Sequence, residues 1–126
     1  MATTPPPTRS LVVKCTWGAD RPEACHQALN VAASAVAAGA HVSLWLAGEG
    51  SWLAVPGRAA EVLVEHGAPL ADLLDVVLAE GSVTLCTQCA VRRGLTQDDL
   101  LDGVRVAGAA AFTEEVLAPG AQALVY

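Results

Sequence analysis

The sequence predicts an α/β protein, a three-layer sandwich in which a mostly parallel sheet is flanked by helices. Three observations lead there. Apolar runs of strand length ("SLVVKC", "HVSLWLAG", "SVTLC") alternate with longer segments whose apolar residues recur at helical spacing. Glycines stand where those helical segments should stop, at Gly39, Gly81 and Gly94. The length of 126 residues, 53% of them hydrophobic and 16% charged, suits one domain that buries a core without disulfide staples.

The elements follow in order. "MATTPPPTRS" opens the chain with three consecutive prolines, which predict a short extended tail over residues 1–9 ahead of a single domain over 10–126. "SLVVKCTW" is a strand ending near Cys15 or Thr16, and "GADRP" is a loop. Asp20 with Glu23 three later has the spacing of a capping box, and Pro22 suits a first helical turn. Cys25, Ala28, Leu29, Ala32 and Val36 share one face of the helix that follows.

"HVSLWLAG", residues 41–48, is the second strand, and Gly48 to Trp52 begins a turn or short helix. Periodicity does not choose between a helical turn and an extended excursion over residues 55–69. Leu70, Leu73, Leu74, Val77 and Leu78 then form an amphipathic stripe. "SVTLC" is the third strand and "TQCAVRRG" a short helix. Thr96 and Asp99 form a second capping-box pattern, opening a helix over Asp98 to Asp102. "VRVAG" is a fourth strand, "AAAFTEEVLA" a last helix closed by Pro119-Gly120, and "AQALVY" the final strand.

Charge and hydropathy narrow the function classes. Thirteen acidic against seven basic residues give a net charge of −6, which repels a phosphate backbone and argues against nucleic-acid binding. A local pocket for a small anion stays open. The N-terminus lacks the pattern of a secretory signal, and no apolar run reaches membrane-span length, so no membrane association is expected. A cytoplasmic protein follows, where cysteines are free, catalytic or metal-bound rather than structurally bridged. The high apolar fraction points to a homo-oligomer that hides further surface.

In parallel sheets functional residues sit beyond the carboxyl ends of the strands. Three stretches fall there: Cys15-Thr16-Trp17, Gly48 to Trp52, and Cys86 to Cys89. Thr16, Trp17, Gly18 and Gly48, with Arg92 and Arg93, are the candidate pocket and anion-binding residues. Cys86 stands where a strand hands over to a helix, a place where free N–H groups and the helix dipole favour a thiolate. Cys89, one turn on, has Arg92 and Arg93 at i+3 and i+4. Against this stands the reading of both thiols as small buried hydrophobes.

Spacing alone also leaves a redox disulfide open, since residues three apart on a helical turn have Cα atoms about 5 Å apart. "CTQC" lacks the aromatic or Gly-Pro setting of a thioredoxin motif. A zinc site lacks a second CxxC or a paired histidine motif, and Cys15, Cys25 and His26 can join one only through tertiary proximity. Cys25 reads as core, and His41 and His66 are isolated. Trp45 reads as core, whereas Trp17 and Trp52 fall in loops at the expected cleft. Asp98 and Asp99 are explained by their place in a helical first turn.

These residues resemble a known family. "LCTQCAVRRGL" is similar to the active-cysteine segment of the DsrE/DsrF-like, TusD-type sulfur-relay proteins, with strand, cysteine, short helix and "RRG"-like ending in one register. "VVKCTWGADRPEACHQALNVAASAVAAGAHVSLWLAGEG" and "GAAAFTEEVLAPGAQALVY" resemble that family's opening and closing segments, so the likeness covers about residues 10 to 126. It implies a DsrEFH-like fold assembled as trimers or hexamers, with sulfur-donor and sulfur-acceptor proteins as partners. The sulfur-accepting cysteine falls on Cys86. The implied activity is that of a sulfurtransferase or sulfur carrier holding a persulfide, with no metal and no organic cofactor.

Cys89 departs from the single-cysteine pattern. Within disulfide reach of Cys86, it can resolve a persulfide or a sulfenic acid, which makes a Cys86/Cys89 thiol-redox protein one alternative. The other alternative is an oligomeric small-ligand-binding or structural protein without catalysis.

Overall fold

The computed structural model describes residues 8–126. Residues 1–7, and with them most of the tail expected over 1–9, lie outside the described residues. Five strands, β1 (Ser10–Cys15), β2 (His41–Leu46), β3 (Ser82–Cys86), β4 (Val104–Ala107) and β5 (Ala121–Val125), form one sheet in the order β4-β3-β2-β1-β5. All four pairings are parallel, so the sheet is wholly rather than mostly parallel. The register places Val13 beside Leu44, Leu44 beside Val83 and Val83 beside Val104.

The chain winds outward from β1 to β4 and returns past β1 to add β5 at the other edge. Right-handed crossovers put the helices of the outward path on one face and the helix of the return on the other. Helix α1 (Pro22–Ala37) and helix α2 (Leu70–Glu80) pack side by side on the first face. Val13, Cys15, Leu44, Leu46, Val83 and Leu85 point into that layer and meet Cys25, Leu29, Ala32, Leu74 and Val77. A leucine buried so fully contributes about 1.5–3 kcal/mol, which makes this two-helix layer the main stabilising element.

The second face carries only α4 (Ala109–Leu117), none of whose residues is buried. Its hold on the sheet is polar and aromatic. The Glu115 carboxylate accepts hydrogen bonds from the Ser43 hydroxyl, from Trp45 Nε1 at 3.1 Å and from Arg105 Nη2 at 2.6 Å. Phe112 meets Trp45 edge-on at 5.4 Å, and the Lys14 ammonium lies 4.7 Å from the Phe112 ring centre. Trp45 is core, as its sequence setting predicts, and it is the buried anchor of this thinner side.

Local readings are corrected at several points. Asp20 does not cap α1: the residue before the helix is Arg21, which makes no side-chain cap, and Asp20 instead accepts from the Gly18 N–H at 2.9 Å. The loop turns one residue later than the capping-box spacing assumes, so the carboxylate is spent on the turn. Thr96 and Asp99 do form their reciprocal capping box, but it opens a single 3-10 turn over Gln97–Asp99 instead of a helix over 98–102. Leu100 follows in extended conformation, buried in the core, because β4 must begin at Val104. Residues 55–69 hold one 3-10 turn, Ala59–Glu61, in otherwise irregular backbone. Gly48–Ala54 is a longer 3-10 helix than expected. No helix among the described residues is long and apolar enough to cross a membrane.

Candidate functional site at the ends of β1, β2 and β3

The three stretches expected beyond the strand ends do come together. The backbone N–H of Gly48, just past β2, donates to Cys89 Sγ at 3.2 Å. A Cβ at Gly48 would lie 2.7 Å from the Thr16 carbonyl oxygen, and its φ of +52° is in the left-handed region that favours glycine. The loop after β2 is thereby pressed against the end of β1 on one side and against the first turn after β3 on the other. Gly18 shows the same crowding, since a Cβ there would lie 2.5 Å from the Glu49 carbonyl oxygen.

Cys86 is the last residue of β3 and the residue before α3 (Thr87–Arg92), with extended backbone. Of the four cysteines, all free thiols, it is the one that is not buried. The six-residue α3 is short, so its dipole is a smaller influence than the sequence suggests.

Cys89 lies one turn further on and is 8% exposed. Burial raises its thiol pKa, but the Gly48 N–H, the adjacent Cys86 side chain, and the charges of Arg93 and Arg92 together outweigh that and lower it. Cys89, core-like by burial, thus has an N–H donor and two arginines that favour its thiolate.

The arginines divide their roles. Arg93 spans the site: its Nη2 and Nε meet Glu49 Oε2 at 2.9 Å and 3.1 Å, and its Nη1 donates to the Cys89 carbonyl at 3.2 Å. Arg92 is exposed on the last turn of α3. Glu49 escaped the sequence reading, and its only signal is its place between Gly48 and Gly50 in a loop beyond a strand.

The remaining candidates sit around this centre. Thr16 Oγ1 donates to the Tyr126 carbonyl at 2.6 Å, joining β1 to the chain end beyond β5. Trp17 is half-buried under the Arg21 guanidinium, 4.8 Å from its ring centre. Trp52 is stacked by Arg58 at 4.5 Å and donates to Glu49 at 3.3 Å. The cavity at this loop holds about 60 Å³ and is bordered by Asp20, Glu49 and Glu61 as well as Arg58. A cavity of about 540 Å³ lies at the opposite end of the sheet, between Arg9, Leu11, Ala35 and Gln122, away from the cysteines.

Cys15 and Cys25 form a second thiol pair, both fully buried between β1 and α1. Hydrogen bonding with Cys15, then burial, then the charges of Cys15 and Asp20 push the Cys25 thiol far up, so it stays protonated. Cys15 is drawn down chiefly by the Cys25 thiol. His26 Nε2 is within 2.9 Å of the Ala68 carbonyl, and among the described residues no three His, Cys, Asp or Glu side chains are grouped to hold a metal ion.

Solved structures share this architecture. The YchN protein from E. coli superposes with a TM-score of 0.76 at 18% identity, covering 94% of this chain and 99% of its own. MTH1491 from Methanobacterium thermoautotrophicum, described as a protein of unknown function, gives 0.69 at 12% identity over 95% and 100%. At such identities the likeness establishes the fold. None of the curated proteins matches the chain in sequence. The model of the DsrE/DsrF-like family matches residues 10–125, which is nearly every described residue and includes both cysteines of the β3–α3 turn. The chain belongs to the DsrE/DsrF-like family.

Proposed function

We propose that this chain is a sulfur-relay protein that accepts sulfane sulfur as a persulfide on Cys86 and passes it to an acceptor thiol. The observation that carries this reading is that Cys86 alone among the four cysteines is not buried, at the strand end where the sequence resembles the family's active-cysteine segment. The reaction is an exchange. Cys86 sulfur attacks the terminal sulfur of a donor persulfide, R–S–SH, giving Cys86–S–SH and R–SH. Transfer onward repeats the step with an acceptor thiol as the attacking group. Neither step consumes an oxidant, a metal or an organic cofactor. Four free thiols suit a reducing compartment such as the cytoplasm.

The working form is a homo-oligomer, a trimer or hexamer. Helix α4 buries none of its residues, and its last residue Leu117 and Val125 of β5 are 77% and 64% exposed. A second copy on that side would cover apolar surface that α4 leaves open.

The test is intact mass after incubating reduced protein with glutathione persulfide, beside Cys86→Ser and Cys89→Ser. Gain of sulfur in wild type that is absent only in Cys86→Ser supports the carrier. A loss of two hydrogens without any sulfur-bearing species, abolished by either substitution, moves the reading to a thiol-redox protein. No change in any of the three removes the chemistry.

A further inference from the structure

We propose that Cys89 is a resolving thiol: docked on the Gly48 N–H beside Cys86, it attacks the inner sulfur of a Cys86 persulfide and discharges the outer sulfur as hydrosulfide. This rests on the persulfide reading of Cys86 and adds a second activity to it, sulfide release in the absence of an acceptor.

The geometry separates the two thiols by task. Cys86 is half-buried and keeps a face to solvent from which a donor can reach it, whereas Cys89 is buried. Cys89 is held from two sides, by the Gly48 N–H at 3.2 Å on its sulfur and by Arg93 Nη1 at 3.2 Å on its carbonyl. Arg93 is itself fixed by Glu49. Cys89 lies one helical turn from Cys86 and within side-chain hydrogen-bonding reach of it, close enough for its sulfur to attack the inner atom of a persulfide formed there.

The step balances. Cys89–S⁻ forms a bond to Cys86 Sγ, the S–S bond of the persulfide breaks, and its electron pair leaves with the outer sulfur as HS⁻. The product is a Cys86–Cys89 disulfide. A dithiol reductant returns both thiols and is itself oxidised to a disulfide, so each sulfide released costs one dithiol.

The groups that act on the Cys89 thiol are the Gly48 N–H from the loop after β2, Cys86 from β3, and Arg93 and Arg92 from the end of α3, Arg93 being itself paired with Glu49. Sulfide release therefore rises with pH as Cys89 ionises, and Arg93→Met moves that rise to higher pH.

The experiment is a time course. Reduced protein is loaded with glutathione persulfide, freed of excess donor, and followed by intact mass and by sulfide release, with and without dithiothreitol. In wild type the sulfur-bearing mass should decay to one two hydrogens below the reduced protein, with one sulfide released per chain. Cys89→Ser and Cys89→Ala should keep the added sulfur and release sulfide roughly tenfold more slowly or less. Dithiothreitol should restore wild type for a second cycle. If loaded wild type keeps its sulfur as long as the Cys89 variants do, the resolving role is overturned and the carrier stands. If neither wild type nor the Cys89 variants gain sulfur, the carrier reading falls, and this inference falls with it.

Discussion

The backbone N–H of Gly48 points at Cys89 Sγ across 3.2 Å, tying the loop after β2 to the helix after β3. Two segments separated by forty-one positions in sequence thus meet on one sulfur atom. The contact puts a fixed dipole against a group that is otherwise mostly removed from water.

The first consequence concerns Gly48 itself. Gly48→Ala adds a Cβ 2.7 Å from a backbone oxygen at a residue with φ of +52°. The loop must move, costing about 1–3 kcal/mol, measurable as a lower urea midpoint. The shift also withdraws the N–H from Cys89, so the thiolate absorbance of Cys89 should appear at higher pH than in wild type.

The ionisation of Cys89 has a stated direction. Its pKa in the folded chain is depressed relative to the unfolded one. Its contribution to stability is therefore fully present above the unfolded thiol pKa and is lost as pH falls through the folded value. Stability of wild type relative to Cys89→Ser should increase on going from neutral toward alkaline pH. Paired urea titrations at several pH values check this, and a flat difference would refute it.

The thiols should react in a set order. Iodoacetamide on the native protein should label Cys86 and leave Cys15 and Cys25 untouched, since both are fully buried and Cys25 is held protonated. All four should label in urea. Peptide mass mapping reads the order, and early labelling of Cys15 or Cys25 would mean that the β1–α1 layer opens far more readily than its packing implies.

Glu115 should matter more than a half-exposed side chain usually does. It accepts from Ser43, Trp45 and Arg105, and α4 buries no residue of its own. Glu115→Ala leaves the Trp45 indole N–H without its partner and should cost about 2–3 kcal/mol by urea unfolding. Glu115→Gln should recover part of that. The environment of Trp45, read by its fluorescence, should become wetter in the alanine variant while the α1–α2 layer stays intact.

The oligomer is tested on the same side. Leu117→Glu together with Val125→Glu places charge on the two most exposed apolar side chains near α4 and β5. Light scattering should show a smaller particle than wild type with the same far-ultraviolet circular dichroism. An unchanged particle would move the interface elsewhere.

Much of this protein is written locally. The strands over β1, β2 and β3, the stripe from Leu70 to Leu78 and the stop at Gly81 follow from side-chain periods and from glycine, which act within a few residues of themselves. Cys86 at a strand end, and Arg92 and Arg93 one turn beyond Cys89, are legible for the same reason. Where local signals compete, the outcome was not legible: Asp20 had two backbone partners within reach and took the Gly18 N–H, and the Thr96–Asp99 box was spent on one turn because β4 had to start.

The tertiary structure alone decided which thiols are buried and which groups lie against them. Spacing sets Cys86 and Cys89 one turn apart, yet the identity of the buried one, and the N–H that compensates it, come from a loop forty-one positions away. Burial and hydrogen bonding are sums over neighbours in space. The sequence orders those neighbours only along the chain, and the parallel crossovers bring Gly48, Glu49 and Thr16 to the cysteines.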